Sequence, residues 1–219
     1  MILHRIRPVG RRDLLGFAPT AFVAAIPLRL ARAQAAGDAS AIAPVEQLDN
    51  ALLAAMKAGG NTPFDDRYRA LAPVIERVFD LDAVLAASIG LSWAPLPSEQ
   101  KASLATAFRR YTVSSYATSF NSYNGQSFQV SPRVRALGND RVVVNSRLLR
   151  ADGSSLALDY VMRRTPAGWQ AVDVLTDGSI SRVAVQRSDF RGLLSSGGTP
   201  ALVAGLVHKV ANLSGGTEG

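Results

Sequence analysis

The residues of this chain with the most chemistry to offer crowd into one stretch near the C-terminus, GWQAVDVLTDGSISRVAVQRSDF, Gly168 to Phe190. Three carboxylates (Asp173, Asp177, Asp189) and two arginines (Arg182, Arg187) lie close together there. Grouped carboxylates can serve as general acids and bases. That chemistry usually wants a nucleophile, a histidine, a metal-ligand cluster or a cofactor loop beside it. The chain has no cysteine, hence no thiol nucleophile and no disulfide framework. His208 stands alone near the C-terminus. No cofactor or metal is called for. The stretch suits a framework better: Asp177-Gly178 is turn chemistry, and Ser179 or Ser181 can cap a following helix. Arg182 and Arg187 can pair with nearby carboxylates.

The elements that must position these residues follow from hydrophobic spacing. From Pro44 to Lys57, Val45, Leu48, Leu52, Leu53 and Met56 recur at mostly three- and four-residue steps, a helical face. Ala58-Gly59-Gly60-Asn61 stops it. Thr62-Pro63 opens a second helix, with Pro in the first turn, and Phe64, Tyr68, Leu71, Ile75, Val78 and Phe79 form its stripe. Asp80 caps a shorter helix through Ser88. Pro97-Ser98-Glu99-Gln100 starts a fourth, predicted to reach about Tyr123.

The period then changes to two. Phe128–Leu137, Arg141–Arg150, Ser155–Arg164 and Trp169–Thr176 read as strands. They are joined by Gly138-Asn139-Asp140, Ala151-Asp152-Gly153 and Thr165-Pro166-Ala167-Gly168, the Gly, Pro and Asn chemistry of hairpin loops. After Gly178 a helical pattern resumes through Leu194, Gly197-Gly198 breaks it, and a last helix runs from Thr199-Pro200 to about Leu213. The predicted fold class is α+β: N-terminal helices, a curled antiparallel four-stranded sheet, then C-terminal helices, segregated against one face of the sheet. The outline is a cone, like that of nuclear transport factors.

The N-terminus reads as an export tag. Arg5, Arg7, Arg11 and Arg12 precede an apolar run from Leu14 to Leu28, and Ala31-Arg32-Ala33 is an A-x-A cleavage pattern. The run is too short to span a bilayer, which takes about 20 apolar residues, and Pro19 and Pro27 interrupt it. Arg11-Arg12 before Asp13-Leu14-Leu15 fits either a twin-arginine signal or an ordinary basic start. Residues 1–33 hold six Arg and one Asp, so removing their +5 from the chain's +7 leaves +2. The basic balance is largely a property of the tag, which argues against a nucleic-acid partner. The expected organisation is a signal peptide over 1–33, a flexible start over 34–44, one domain over 45–213 and a loose tail over 214–219. The mature protein is expected to be exported, with cleavage near Ala33.

Several stretches together resemble a known family. They are Phe79-Asp80-Leu81, then Gly90-Leu91-Ser92-Trp93; Ser98-Glu99-Gln100 leading to Phe108, Tyr111, Tyr116, Tyr123 and Gly125; and Gly168-Trp169, Asp173-Val174, Asp177-Gly178-Ser179-Ile180-Ser181, Arg187 and Phe190. In order and spacing they resemble the MlaC and toluene-tolerance family, and within it the HpnM-like branch associated with hopanoid biosynthesis. The likeness covers roughly Val45 to Val210. The family's turn usually carries Glu-Gly where this chain has Asp177-Gly178, a conservative departure. The resemblance implies a non-catalytic periplasmic carrier that holds the acyl chains of a phospholipid or hopanoid-type lipid in an apolar cavity between sheet and helices. It implies partners in an inner-membrane transporter and an outer-membrane lipid complex.

Such a container needs large apolar side chains on the inner face of the sheet, opposed by helices. The candidates from the helices are Phe79, Leu85, Phe108, Tyr111, Tyr116 and Phe120. The middle strands offer Val142, Val144, Leu148, Leu156, Leu158, Tyr160 and Met162. The last strand offers Trp169 and Val174, which face opposite sides unless a bulge intervenes. Every one of these residues can equally be ordinary core. The arginines of the strands (Arg133, Arg135, Arg141, Arg147, Arg150, Arg163, Arg164) read as a solvated face able to dock on an acidic partner. His208 with Lys209 reads as an exposed basic end. Two competing readings stay open: an isomerase- or dehydratase-like enzyme built on a buried carboxylate, with Asp159-Tyr160 or Asp173 and Tyr111 as candidates, and an adaptor with a filled core.

Overall fold

The structure is a computed structural model that describes residues 26–215, with side chains from Gly37 onward. Residues 1–25 of the predicted signal peptide, and 216–219 of the predicted tail, lie outside the described residues. The helices are α1 (Ile26–Ala58), α2 (Phe64–Val78), α3 (Leu81–Ile89), α4 (Ser98–Ser119) and α5 (Arg182–Leu213), with a 3-10 turn at Gly90–Ser92. Between α4 and α5 run β1 (Ser127–Gly138), β2 (Arg141–Leu149), β3 (Ser155–Thr165), β4 (Gly168–Thr176) and β5 (Ile180–Ser181). The fold is α+β: an open antiparallel sheet in the order β1-β2-β3-β4-β5, with helices packed on it.

Four strands lie within two residues of the ends that alternation sets. The turn residues explain why. Asn139 and Asp140 both take positive φ (51° and 53°) between Gly138 and Arg141, which pair across the hairpin. Two successive positive φ values make a turn whose twist matches the strands, and Asn and Asp tolerate them best after Gly. The fifth strand, β5, corrects the expected four. Only two residues long, it pairs Leu175 with Ser181 and Thr176 with Ile180.

Beyond β5 the edge of β4 is closed by the chain between α2 and α3. Phe79 bridges to Ala171 in parallel, and the Asp80 amide donates to the Ala171 carbonyl at 3.0 Å. The Gln170 side-chain amide donates to the Arg77 and Phe79 carbonyls at 3.2 and 3.4 Å. An exposed strand edge would invite foreign pairing; here the exposed donors and acceptors meet an extended residue, Phe79 (φ −100°, ψ 139°). Asp80 then caps α3, accepting from the Ala83 amide at 3.0 Å, as the sequence predicts. Its other oxygen holds Arg163 of β3.

Two element boundaries differ from expectation, and a third agrees with it. Helix α1 begins well before Pro44, and the predicted loose stretch 34–44 belongs to it, with Ala41 and Ile42 buried. Proline is tolerated best in a first turn; here the buried stripe Ala41, Val45, Leu48, Leu52, Ala55 carries the helix through it. Helix α4 stops at Ser119 rather than near Tyr123, with Phe120 leaving the helix at φ −116°, ψ 56°. Helix α5 breaks where predicted, at Gly197 and Gly198, the latter at φ 64°.

Candidate functional site

The inner face of the sheet is set by register. Partners across the strands share a face, so Phe128, Leu148 and Leu156 stand in one row. Val134, Val144, Tyr160 and Val174 stand in another, and Val142, Met162 and Ala171 in a third. Val161 pairs with Asp173 and Met162 with Ala171, leaving Val172 as an extra residue in β4. This bulge resolves the ambiguity of the last strand: it puts Trp169, Ala171 and Val174 on the same side.

An aromatic seam lies against that face, its rings drawn from β1 and β3, from Phe79 in the link between α2 and α3, and from the end of α4. Phe79 stands 6.4 Å from Tyr160 and 5.8 Å from Tyr116, ring centre to ring centre. Tyr116 stacks on Phe120 at 5.9 Å, and Phe120 reaches Phe128 of β1 at 6.3 Å. Five rings thus run without a break from the middle of the sheet to its β1 edge. Tyr160 and Phe79 are buried; Tyr116, Phe120 and Phe128 are half-buried.

The predicted lining residues divide on this map. Phe79, Tyr116, Phe120, Val144, Tyr160, Met162 and Val174 meet in or beside the seam, and Leu158 and Trp169 pack half-buried against the same core. Leu148 is buried on the β1 side. Phe108 turns instead to Phe190 of α5, edge to face at 6.2 Å, and belongs to the helix–helix contact. Leu85 is fully buried on α3. Tyr111 lies beneath the Lys209 ammonium at 5.9 Å, and Arg164 lies over Trp169 at 5.6 Å.

Sequence reading missed Phe128 and the polar pair Asp49 and Ser146. Asp49 of α1 is 3% exposed and accepts from the Ser146 hydroxyl of β2 at 2.9 Å. Tyr160 lies beside it, and its hydroxyl favours the charged carboxylate. Burial nevertheless pushes the Asp49 carboxyl up to about 7, Glu46 adding to the rise while Ser146 and Tyr160 oppose it. Burial also raises the Tyr160 and Tyr116 phenols above their ordinary value. One carboxyl oxygen of Asp49, Oδ1, is buried without a hydrogen-bond partner, as is the Trp169 indole nitrogen. The signal for Asp49 was in the sequence: it follows Val45 by four residues and precedes Leu52 by three, on the apolar stripe.

The opening carboxylates are framework. Asp173 accepts from the Ser181 hydroxyl at 2.5 Å and from the amides of Val174 and Val183 at 2.8 and 3.1 Å. Ser181 caps α5, accepting from the Ala184 amide at 3.0 Å. Asp177, at φ 51°, makes the turn before β5. Arg187 does not pair with a carboxylate as expected; its guanidinium grips the Ala87 carbonyl at 3.0 and 2.6 Å, tying α5 to the last turn of α3. Among the described residues the ion pairs are Arg69–Asp66, Arg109–Glu76 and Arg163–Asp80. Arg163 therefore leaves the solvated set, while the other strand arginines are exposed. The Gly90–Ser92 turn, with Leu91 fully exposed, borders a surface cleft of about 550 Å³ shared with Arg187, Arg191 and Leu194. The enzyme candidates do not assemble. Asp159 stands on the face opposite Tyr160, and Asp173 is spent on its cap while Tyr111 packs with Lys209. His208 is exposed beside Asn212.

An apolar, aromatic interface between a sheet and helices is suited to holding hydrocarbon. Comparison with known proteins agrees. The model of the MlaC protein family matches residues 46–208. The chain is also similar to the solved structure of a phospholipid-binding protein from Ralstonia solanacearum in complex with a phospholipid. The TM-score is 0.67 and the identity 25%, over 80% of this chain and 98% of that one. The chain belongs to the MlaC family.

Proposed function

We infer from that membership that the protein is a non-catalytic periplasmic carrier, which takes a phospholipid or hopanoid-type lipid between its sheet and helices and moves it between inner- and outer-membrane systems. The observation that carries this reading is the seam: five aromatic rings in contact between the helices and the inner face of an open sheet, in a fold whose solved relative holds a phospholipid. A lipid with about thirty methylenes would expose them to water at roughly 0.8 kcal/mol each, more than 20 kcal/mol in all. A container removes that cost. Helices α1 and α4 satisfy their own backbone hydrogen bonds, so they can part from the sheet to admit acyl chains while the link between α2 and α3 stays bonded to β4. The half-buried Tyr116, Phe120 and Trp169 offer the rim. The likeness to the HpnM-like branch supports a hopanoid-type cargo; the relative's ligand supports a phospholipid.

Native mass spectrometry of the protein recovered from its own periplasm, with lipid extraction of the same sample, tests this. A stoichiometric lipid is expected, and its identity decides between the two cargoes. The same protein should begin near Gln34 if the signal peptide is removed after Ala33. A clean apo mass with no uptake from vesicles would overturn the carrier. Turnover of a bound lipid, lost in Asp49→Asn, would favour the enzyme reading instead.

A further inference from the structure

The aromatic seam explains how hydrocarbon is held, but not why a carboxylate lies within it. Asp49 is 3% exposed, with Ser146 and Tyr160 against its carboxyl, and its Oδ1 has no partner. A buried acceptor left unpaired carries its full desolvation cost, so native proteins seldom keep one without use. Its surroundings are fixed from three sides. Ser146 rises from β2 to hold Oδ2, Tyr160 stands beside it on β3, and Tyr116 approaches from α4. Glu46, one turn earlier on α1, is the further charged neighbour.

We propose that Asp49, Ser146 and Tyr160 form a polar anchor, whose free Oδ1 receives a hydroxyl group carried on an otherwise apolar lipid. The inference rests on the carrier reading and deepens it by naming a chemical class of cargo. A hydroxyl fits where an ammonium does not. It brings no charge into a dry interface, and it donates its proton to Oδ1, which an ether on the same chain cannot do. A hydrocarbon chain alone would leave Oδ1 as it is. A hydroxyl set at the right depth satisfies it while the rest of the molecule lies along the rings. Selectivity then comes from the unpaired group, which penalises every ligand that lacks the donor.

The test uses the protein purified from the periplasm, stripped of lipid and incubated with phosphatidylcholine vesicles carrying either octadecan-1-ol or its methyl ether. The probes share a chain and differ in the hydroxyl proton. Bound lipid is counted by mass spectrometry. About tenfold preference for the alcohol is expected, the worth of one hydrogen bond to a buried partner. Asp49→Leu should bring the ratio to about one, whatever its total uptake. In wild type, the infrared carbonyl band of the protonated Asp49 carboxyl should shift with the alcohol and not with the ether, a readout that does not depend on any variant folding. Equal uptake of alcohol and ether alongside phosphatidylcholine would overturn the anchor and leave the carrier standing. So would a band unmoved by bound alcohol, or a preference that survives in Asp49→Leu. Failure to take up any of the three lipids would overturn the carrier reading itself.

Discussion

Asp49 sets the acid–base behaviour of the interior. Its carboxyl is raised to about 7 in the fold, against 3.8 when free, so the folded state holds a proton that the unfolded chain gives up. The stability this contributes is fully present below pH 4 and is lost as pH rises through about 7. Three pH units correspond to roughly 4 kcal/mol. Chemical denaturation of wild type against Asp49→Asn should show it: wild type loses stability relative to the variant between pH 4 and 7, and the difference is flat above that. Parallel curves would refute the shifted carboxyl. Gly90 is a second informative residue. It ends α3 at φ 72°, ψ −136°, and an added Cβ would meet only Arg187 at an ordinary 3.6 Å. Gly90→Ala should therefore cost backbone strain alone, roughly 1–3 kcal/mol, read as a lowered midpoint with unchanged spectra.

At the scale of elements, the stretch from β4 into α5 works as a joint. Asp173 draws the Ser181 hydroxyl and the Val183 amide onto itself, and Ser181 caps the helix. The two side chains thus fix where a strand stops and a helix starts. Ser181→Ala should cost about 1 kcal/mol through the lost cap, and Asp173→Ala more, because the Ser181 hydroxyl and the Val183 amide then both lose their partner. Hydrogen exchange should report both changes first at the amides of Val183 and Ala184. Equal exchange there in wild type and Ser181→Ala would argue against the joint. Most elements were legible in the sequence. Alternation set the strands and Asn-Asp and Asp-Gly set their turns, because those preferences act within a few residues. The bulge at Val172 and the passage of α1 through Pro44 were not legible, since partners distant in sequence impose them.

On the scale of the whole molecule, stability and cargo are linked. A lipid that binds the folded state alone stabilises it by about 2.7 kcal/mol at a hundred times its dissociation constant. Protein stripped of lipid should melt lower than protein as recovered, and reloading from vesicles should restore the difference. An unchanged melting point with lipid demonstrably bound would mean that the lipid lies outside the core. Phe79→Ala tests the seam directly, since Phe79 touches both Tyr116 and Tyr160. Removing a buried Phe costs about 3–5 kcal/mol, and lipid uptake should fall with it. Phe108→Ala should cost similar stability through the α4–α5 contact while sparing uptake.

The sequence by itself determined four of the five strands, their turns, the cap at Asp80 and the break at Gly197-Gly198, and it narrowed the cap of α5 to Ser179 or Ser181. It also determined the lack of thiol chemistry, which needs cysteine. These depend on local geometry and on which side chains exist at all. Only the tertiary structure decided that Phe108 faces α5 rather than the sheet and that Arg187 holds a carbonyl rather than a carboxylate. It alone brought Asp49 to Ser146, 97 positions along the chain. Burial and pairing at such separations are properties of packed surfaces, and no short-range preference encodes which surfaces will meet.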